Sequence, residues 1–222
     1  IAARAAELNA TMISTAGASF TAEPDGEFGQ YRLHFRDFNA RLSLRGRHQA
    51  VNAITAIHII EQLIRKGWKI DRHAVEKGLY GVVWPGRLQL IEVPNLSCRI
   101  FVDGAHNVDG AGVLRNFLEE HCLGIPITLI FGSLNDKDVS EMAKLIFPIA
   151  EKLILTKADN PRAAEASQIA GQTKQLRQDA VSTDNLAEAL DEAARVTPAN
   201  GLAVVCGSLY LAGELLLLAR RH

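Results

Sequence analysis

Two short phrases concentrate the side chains able to do chemistry. In Val102-Asp103-Gly104-Ala105-His106-Asn107 a carboxylate, an imidazole and an amide follow the apolar run Arg99-Ile100-Phe101-Val102. The run reads as a buried strand, and Asp103-Gly104 supplies a sharp turn that would expose the three groups together at its carboxyl end. In open α/β sheets that is where ligands bind. In Trp84-Pro85-Gly86-Arg87-Leu88-Gln89 a guanidinium follows a Pro-Gly turn, and its planar fork of donors suits phosphate oxygens. Phosphate recognition, with a carboxylate for a sugar hydroxyl, points to a nucleotide.

Two more polar loops stand in the same position, each after an apolar run and before a helical pattern. They are Gly132-Ser133-Leu134-Asn135-Asp136-Lys137-Asp138 and Gly207-Ser208-Leu209-Tyr210. If the preceding strands are parallel, all three loops share one edge of the sheet. The expectation is a composite site in which Asp103, His106, Lys137, Ser208 and Tyr210 face a common crevice. The competing reading makes Asp103-Gly104 an ordinary turn, Asp136 or Asp138 a helix cap and Ser208 another cap. It accounts for any one loop more easily than for three. His34, His58, His73 and His121 read as structural. No HExxH or carboxylate cluster with histidine spacing occurs, so no metal site is expected within this chain.

In Gly46-Arg47-His48-Gln49-Ala50-Val51-Asn52-Ala53, Asn52 lies one helical turn beyond His48 and shares its face. An amide there can read an adenine edge; a solvated helix-surface Asn is the alternative. The chain has no Gly-Lys dipeptide and therefore no GxxxxGK[ST] phosphate loop. Gly110-Ala111-Gly112-Val113-Leu114-Arg115 is a broken GxGxxG, with Arg115 in the place of the last Gly.

The elements that must position these groups fall into two parts, 1–84 and 85–222, divided near Pro85-Gly86. The first opens on a helix remnant, then shows strand-like alternation in Tyr31-Arg32-Leu33-His34-Phe35 and Arg41-Leu42-Ser43-Leu44, with a turn at Pro24-Asp25-Gly26. Helical spacing follows from His48 to Arg65, closed by Gly67, and a shorter helix runs from Arg72 to Tyr80. In the second part, apolar runs at Ile100–Val102, Ile127–Phe131, Leu153–Leu155 and Leu202–Cys206 alternate with helical patterns near Val108–His121, Val139–Ala150, Ala163–Gln178 and Leu186–Val196. Runs apolar on both faces with helices between them predict an α/β fold with a Rossmann-like, mostly parallel sheet flanked by helices.

With 222 residues, 48% of them hydrophobic, the chain can bury a real core. A net charge of -1 gives no global field for nucleic acid or an anionic membrane, so neither is an expected partner. Cys98, Cys122 and Cys206 are odd in number and lack CxxC spacing, which favours buried thiols and a cytoplasmic location. The longest apolar stretch, Leu209 to Ala219, is broken by Glu214 and too short to span a bilayer. The basic end Arg220-Arg221-His222 suits a helix C-terminus. The opening Ile1-Ala2-Ala3-Arg4-Ala5-Ala6-Glu7, without Met, looks like the middle of a helix, so a fragment is expected.

Taken in order, the His48-Gln49 phrase, Trp84–Gln89, Asp103–Asn107, Phe131–Asp138, Asn160-Pro161-Arg162-Ala163 and Cys206–Tyr210 resemble the folylpolyglutamate synthase and dihydrofolate synthase family, a branch of the Mur ligases. The resemblance covers nearly the whole chain. It implies the end of an α/β central ATPase domain over 1–84 and a C-terminal Rossmann-like glutamate-ligase domain over 85–222. The phosphate loop and magnesium ligands would then lie upstream. It implies an ATP-dependent carbon-nitrogen ligase that joins L-glutamate to folate or dihydropteroate through an acyl phosphate, with ATP and Mg2+ required and a monomeric parent. By the same resemblance Asn52 meets the adenine, Arg87 the terminal phosphate and Asp103 the ribose. His106, Lys137, Ser208 and Tyr210 stand near the glutamate, with Arg87 and His106 closest to catalysis. Arg45 and Val108 stand where the family often has Pro, which alters loop stiffness more than chemistry. The alternatives are a stand-alone nucleotide or amino-acid binding module and a peptidoglycan Mur ligase fragment.

Overall fold

A short antiparallel sheet begins the fold in the computed structural model, which describes residues 1–15, 17–93 and 97–220. After helix α1 (Ala2–Glu7) come β1 (Thr21–Pro24), β2 (Tyr31–Phe35) and β3 (Phe38–Arg41), in the order β1-β2-β3. Helices α2 (His48–Arg65) and α3 (Arg72–Gly81) complete this first unit, Ile1–Val83. Alternate residues Tyr31, Leu33 and Phe35 of β2 are buried, and they share a core with Ala50, Ile54 and Ile57 of α2 and Val75 of α3. Gly67, at φ +95°, closes α2, while Trp68 N–H returns to Leu63 O at 3.1 Å.

The strand expected at Arg41–Leu44 lies three residues earlier. The hairpin turns at Arg36-Asp37, where Arg36 takes φ +52° without the Asn or Gly that usually marks such a turn. Leu42 N–H still reaches Tyr31 O, but Ser43 leaves the ladder and its hydroxyl donates to Val82 O at 2.5 Å.

The second unit, Trp84–His222, carries β4 (Gln89–Ile91), β5 (Arg99–Val102), α4 (Val108–His121), β6 (Ile127–Phe131) and α5 (Val139–Ile146). It continues with β7 (Lys152–Leu155), α6 (Ala166–Thr173), β8 (Val181–Ser182), α7 (Leu186–Val196), β9 (Leu202–Cys206) and α8 (Leu209–Ala219). The sheet order is β4-β5-β9-β6-β7-β8, with only β4 antiparallel to its neighbour. This is the expected mostly parallel α/β sheet. Every residue of β6 and β9 is buried, because helices cover both faces. On one face Ile100, Val102, Ile130, Ile154 and Val205 meet Leu186 and Leu190 of α7 and Leu211 and Leu215 of α8. The alternate residues point the other way: Phe101 meets Phe117 of α4 edge-on, and Phe131 meets Phe147 likewise.

Two expected helices are shorter than their patterns. The α5 pattern tightens into a 3-10 turn at Phe147–Ile149, where Pro148 has no N–H to give. Helix α6 starts only at Ala166, fixed by a capping box between Glu165 and Gln168. Of the basic end, Arg220 caps α8, while Arg221 and His222 lie outside the described residues.

Candidate functional site

Because β5, β9, β6 and β7 run parallel, the loops that follow them emerge along one edge in that order. Backbone hydrogen bonds stitch neighbours together: Gly207 N–H to Ala105 O (2.8 Å), Gly132 N–H to Cys206 O (3.2 Å) and Thr156 N–H to Phe131 O (2.9 Å). Beyond them Asn135 N–H reaches Arg162 O and Ala164 N–H reaches Ser133 O, both at 2.9 Å. The approach is so close that Gly207, at φ +98°, has no room for a Cβ, which would strike Gly132 O. A Cβ on Gly132 would in turn lie 2.7 Å from Thr156 O.

Asp103 ends β5 at 8% exposure. Its Oδ2 accepts Leu88 N–H at 2.9 Å and its Oδ1 accepts Ala105 N–H at 2.8 Å. Burial pushes this carboxyl above the usual carboxylate range; the two amides, Arg87 and His106 oppose that shift. Arg87 sits half-buried between Gly86 and Leu88, both buried and both at positive φ. Its guanidinium makes no hydrogen bond to the described residues, which leaves the fork open to a ligand.

His106 Nδ1 lies 2.8 Å from Gly104 O. A carbonyl only accepts, so Nδ1 carries the proton, and in the neutral ring Nε2 keeps its lone pair. Asn107 caps α4 by accepting Gly110 N–H.

The cap reading holds for two residues: Asp138 accepts Glu141 N–H, and Ser208 accepts Tyr210 N–H at 3.1 Å. Ser208 is 1% exposed, and the bond its oxygen accepts lies at the start of α8. Lys137 Nζ stands 3.4 Å from Asp136 Oδ2 on the β6 loop, and β6 is two strands from β5. Asn52 belongs to the first unit, where its exposed amide donates to Gln49 Oε1 at 3.0 Å; His48 Nε2 lies 3.1 Å from the other end of Gln49. The broken GxGxxG falls inside α4, whose first residue is Val108, and opens no phosphate-binding turn.

One residue of this edge escaped the sequence reading of the site. Arg162 Nη2 donates to Tyr210 Oη at 3.3 Å, and its guanidinium carbon lies 6.0 Å from the ring centroid. It forms no ion pair with the described residues. The signal was its place in Asn160-Pro161-Arg162, hidden because a helix was expected from Ala163. Next to it, a cleft of about 730 Å³ is lined by Lys157, Asp159, Asn160, Pro161, Asp184 and Glu214, and by none of the expected site residues.

The three cysteines are buried thiols, and burial pushes Cys122 up to about 11, with Cys98 and Cys206 also raised. They are therefore poor nucleophiles at neutral pH. Among the described residues no group of three His, Cys, Asp or Glu side chains is placed to hold a metal ion. No described helix is long and apolar enough to cross a membrane.

Residues 86–209 match the family model "Mur ligase, glutamate ligase domain". A probable bifunctional folylpolyglutamate synthase/dihydropteroate synthase of Haloferax volcanii is 31% identical over 89% of this chain and 22% of its own length. The dihydrofolate synthase/folylpolyglutamate synthase of Bacillus subtilis is 28% identical over 86% of this chain and 44% of its own. A crystal structure of Mycobacterium tuberculosis folylpolyglutamate synthase complexed with ADP and AMPPCP superposes with a TM-score of 0.81 and 25% identity, covering 100% of this chain and 52% of that one. The chain thus spans about half, or less, of the proteins it matches.

Proposed function

Since the chain belongs to the Mur ligase family and carries its glutamate ligase domain, we propose that it is part of an ATP-dependent ligase joining L-glutamate to a folate-type carboxylate. ATP converts that carboxylate to an acyl phosphate; the amine of glutamate attacks the acyl carbon, the amide forms and phosphate leaves. The observation that carries the reading is the stitched edge. Residues 86–209 match a glutamate ligase domain, and within them an open guanidinium and an imidazole held through Nδ1 by Gly104 O stand on loops at one end of a parallel sheet.

Arg87 is assigned to the transferring phosphate, Asn52 to the adenine and Asp103 to the ribose. Lys137, Ser208, Tyr210 and His106 are assigned to glutamate, where cations and donors hold carboxylates and aim the amine. Arg162 adds a second cation to that set, through its place against Tyr210. His106 Nε2, with its lone pair, is suited to take the proton that the ammonium group must lose before it attacks. The Mg2+ that accompanies ATP belongs to residues outside this chain, as does the phosphate loop. The whole ligase is proposed to be a cytoplasmic monomer.

In the full-length polypeptide, phosphate release should require ATP, a folate-type acceptor and glutamate together. Release supported by alanine or diaminopimelate on a muramyl acceptor would replace this reading with a peptidoglycan ligase. Tight ATP binding by the 222-residue chain alone, measured by calorimetric titration, would favour a stand-alone binding module.

A further inference from the structure

We infer that Asp103 is a positioning residue: its buried carboxylate is a strut that holds the Arg87 turn and the His106 loop in one fixed relation. The inference rests on the proposed ligase reading of Arg87 and His106 and deepens it, giving Asp103 a backbone-holding role in place of the ribose contact proposed above. One oxygen of the strut accepts the N–H of Leu88, the residue after Arg87; the other accepts the N–H of Ala105, the residue before His106. A single planar group thus joins the immediate neighbours of both functional side chains. Its own backbone is anchored to the middle of the sheet, since Asp103 N–H donates to Val205 O of β9 at 3.0 Å.

The Arg87 side of the strut needs holding. Leu88 is 2% exposed and adopts φ +44°, a conformation that a branched residue keeps only where its surroundings impose it. Two further bonds tie the same turn: Gly104 N–H to Gly86 O at 2.7 Å and Gly86 N–H to Gln89 Oε1 at 3.0 Å. Gly104 is also closed in by the Leu209 side chain, which a Cβ on Gly104 would strike. Its carbonyl is the acceptor that sets the His106 tautomer. Asp103 therefore lies one peptide from the group that orients His106 and one hydrogen bond from the turn that aims Arg87. A ribose hydroxyl would have to share a carboxylate that already serves two amides at 8% exposure.

Asp103→Asn in this chain tests the strut without reference to activity. The Asn side chain keeps the shape but turns one acceptor into a donor, which then faces a backbone N–H. Hydrogen exchange should quicken at Leu88 or Ala105 by about tenfold or more, the loss of one charge-assisted bond. The His106 ring nitrogen signals should shift, while amides in the middle of β6 keep their protection. Unchanged exchange at both amides with unchanged His106 signals overturns the proposal. If the variant does not fold, the unsubstituted chain decides: the Leu88 and Ala105 nitrogens should both couple through hydrogen bonds to the Asp103 carboxyl carbon. The absence of either coupling overturns it.

Kinetics of the full-length polypeptide separate a strut from a sugar contact. As a strut, Asp103→Asn lowers kcat at saturating ATP and leaves the preference for ATP over 2′-deoxy- and 3′-deoxy-ATP unchanged. A preserved kcat with that preference abolished makes Asp103 a ribose ligand instead. The measurements on the chain itself stand whatever the full-length polypeptide catalyses, so failure of the strut and failure of the ligase reading are told apart.

Discussion

The two units bury their apolar residues by different means. In the second, all five residues of β6 and of β9 are buried, and the polar groups Asp103, Ser133, Thr156 and Ser208 are enclosed at the ends of the strands. In the first, β1 exposes three of its four residues, and α2 turns Val51 and Ile59 outward at 43% and 58% exposure. Asn52 lies on that outward face, seven positions and two turns from Ile59. The difference teaches that a parallel sheet covered on both sides can orient polar groups against fixed backbone. A two-layer unit leaves the amide of Asn52 on an exposed helix surface.

The largest effect is expected from removing, in the full-length polypeptide, the group of each unit that is proposed to meet the nucleotide. Arg87→Ala should lower turnover by roughly 10³ or more, as loss of an arginine that stabilises a transferring phosphoryl group does. Lys at that position should recover only part, because it keeps the charge and loses the fork. Asn52→Ala removes one neutral hydrogen bond, about 0.5–1.5 kcal/mol, and should raise KM for ATP by about tenfold at most. Equal losses in the two variants would mean that exposure and fixed orientation do not distinguish them.

Close backbone packing gives the next effect. Gly207→Ala combines φ +98° with a clash against Gly132 O and the Phe131 ring, and should cost about 2–4 kcal/mol from strain and overpacking. Gly112→Ala, inside α4 with open space around it, should stabilise by about 0.5–1 kcal/mol. Urea unfolding of both variants checks the pair. A tolerated Gly207→Ala would show that the strand-end loops are not stitched as tightly as their hydrogen bonds imply.

How far these features were legible in the sequence follows from the range of the forces involved. Helices α2, α4 and α7 lie where the periodicity put them, because an amphipathic repeat is written locally. The four central strands were legible as runs apolar on both faces. Strands β4 and β8, three and two residues long, were not, since so short a segment pairs only because an edge is already there. In the site, Asp103, His106 and Asn107 lie within five positions, so their grouping could be read directly. The bond from Asp103 to Leu88 spans 15 positions, and that from Arg162 to Tyr210 spans 48; both exist only once the sheet is assembled. The sequence allows Ser208 to be a ligand or a cap, and what it does not disclose is that the residue is 1% exposed and its hydroxyl accepts Tyr210 N–H.

That cap bond distinguishes Ser208 from Lys137, the two being proposed together for the glutamate. Lys137→Ala in the full-length polypeptide should raise KM for glutamate by roughly ten- to a hundredfold, the worth of a charge-assisted contact of about 1.5–3 kcal/mol, and leave KM for ATP nearly unchanged. Ser208→Ala should instead cost about 1 kcal/mol of stability, the usual loss of an N-cap, with a smaller change in glutamate KM. Steady-state kinetics with the two substrates varied separately, beside urea unfolding, resolves them. A large glutamate effect at Ser208 without loss of stability would return that hydroxyl to the ligand.

The smallest expected effect tests the exposed half of the comparison. Ile59 and Ile57 share α2, yet Ile57 is fully buried against β2 and Ile59 faces outward at 58% exposure. Ile57→Ala should therefore cost about 2–5 kcal/mol, as a buried truncation that leaves a cavity. Ile59→Ser removes apolar surface that is already wet, and exposed substitutions away from special features stay within about 0.5 kcal/mol. Its effect on the stability of this chain should be no larger, and sedimentation should be unaltered. If Ile59→Ser cost more than about 1 kcal/mol, the outward face of α2 would have to be covered in solution, since burial is what gives an isoleucine that worth. If the same substitution also dissociated a dimer, the cover would be a second copy of the chain, and the contrast between an enclosed unit and an exposed one would disappear.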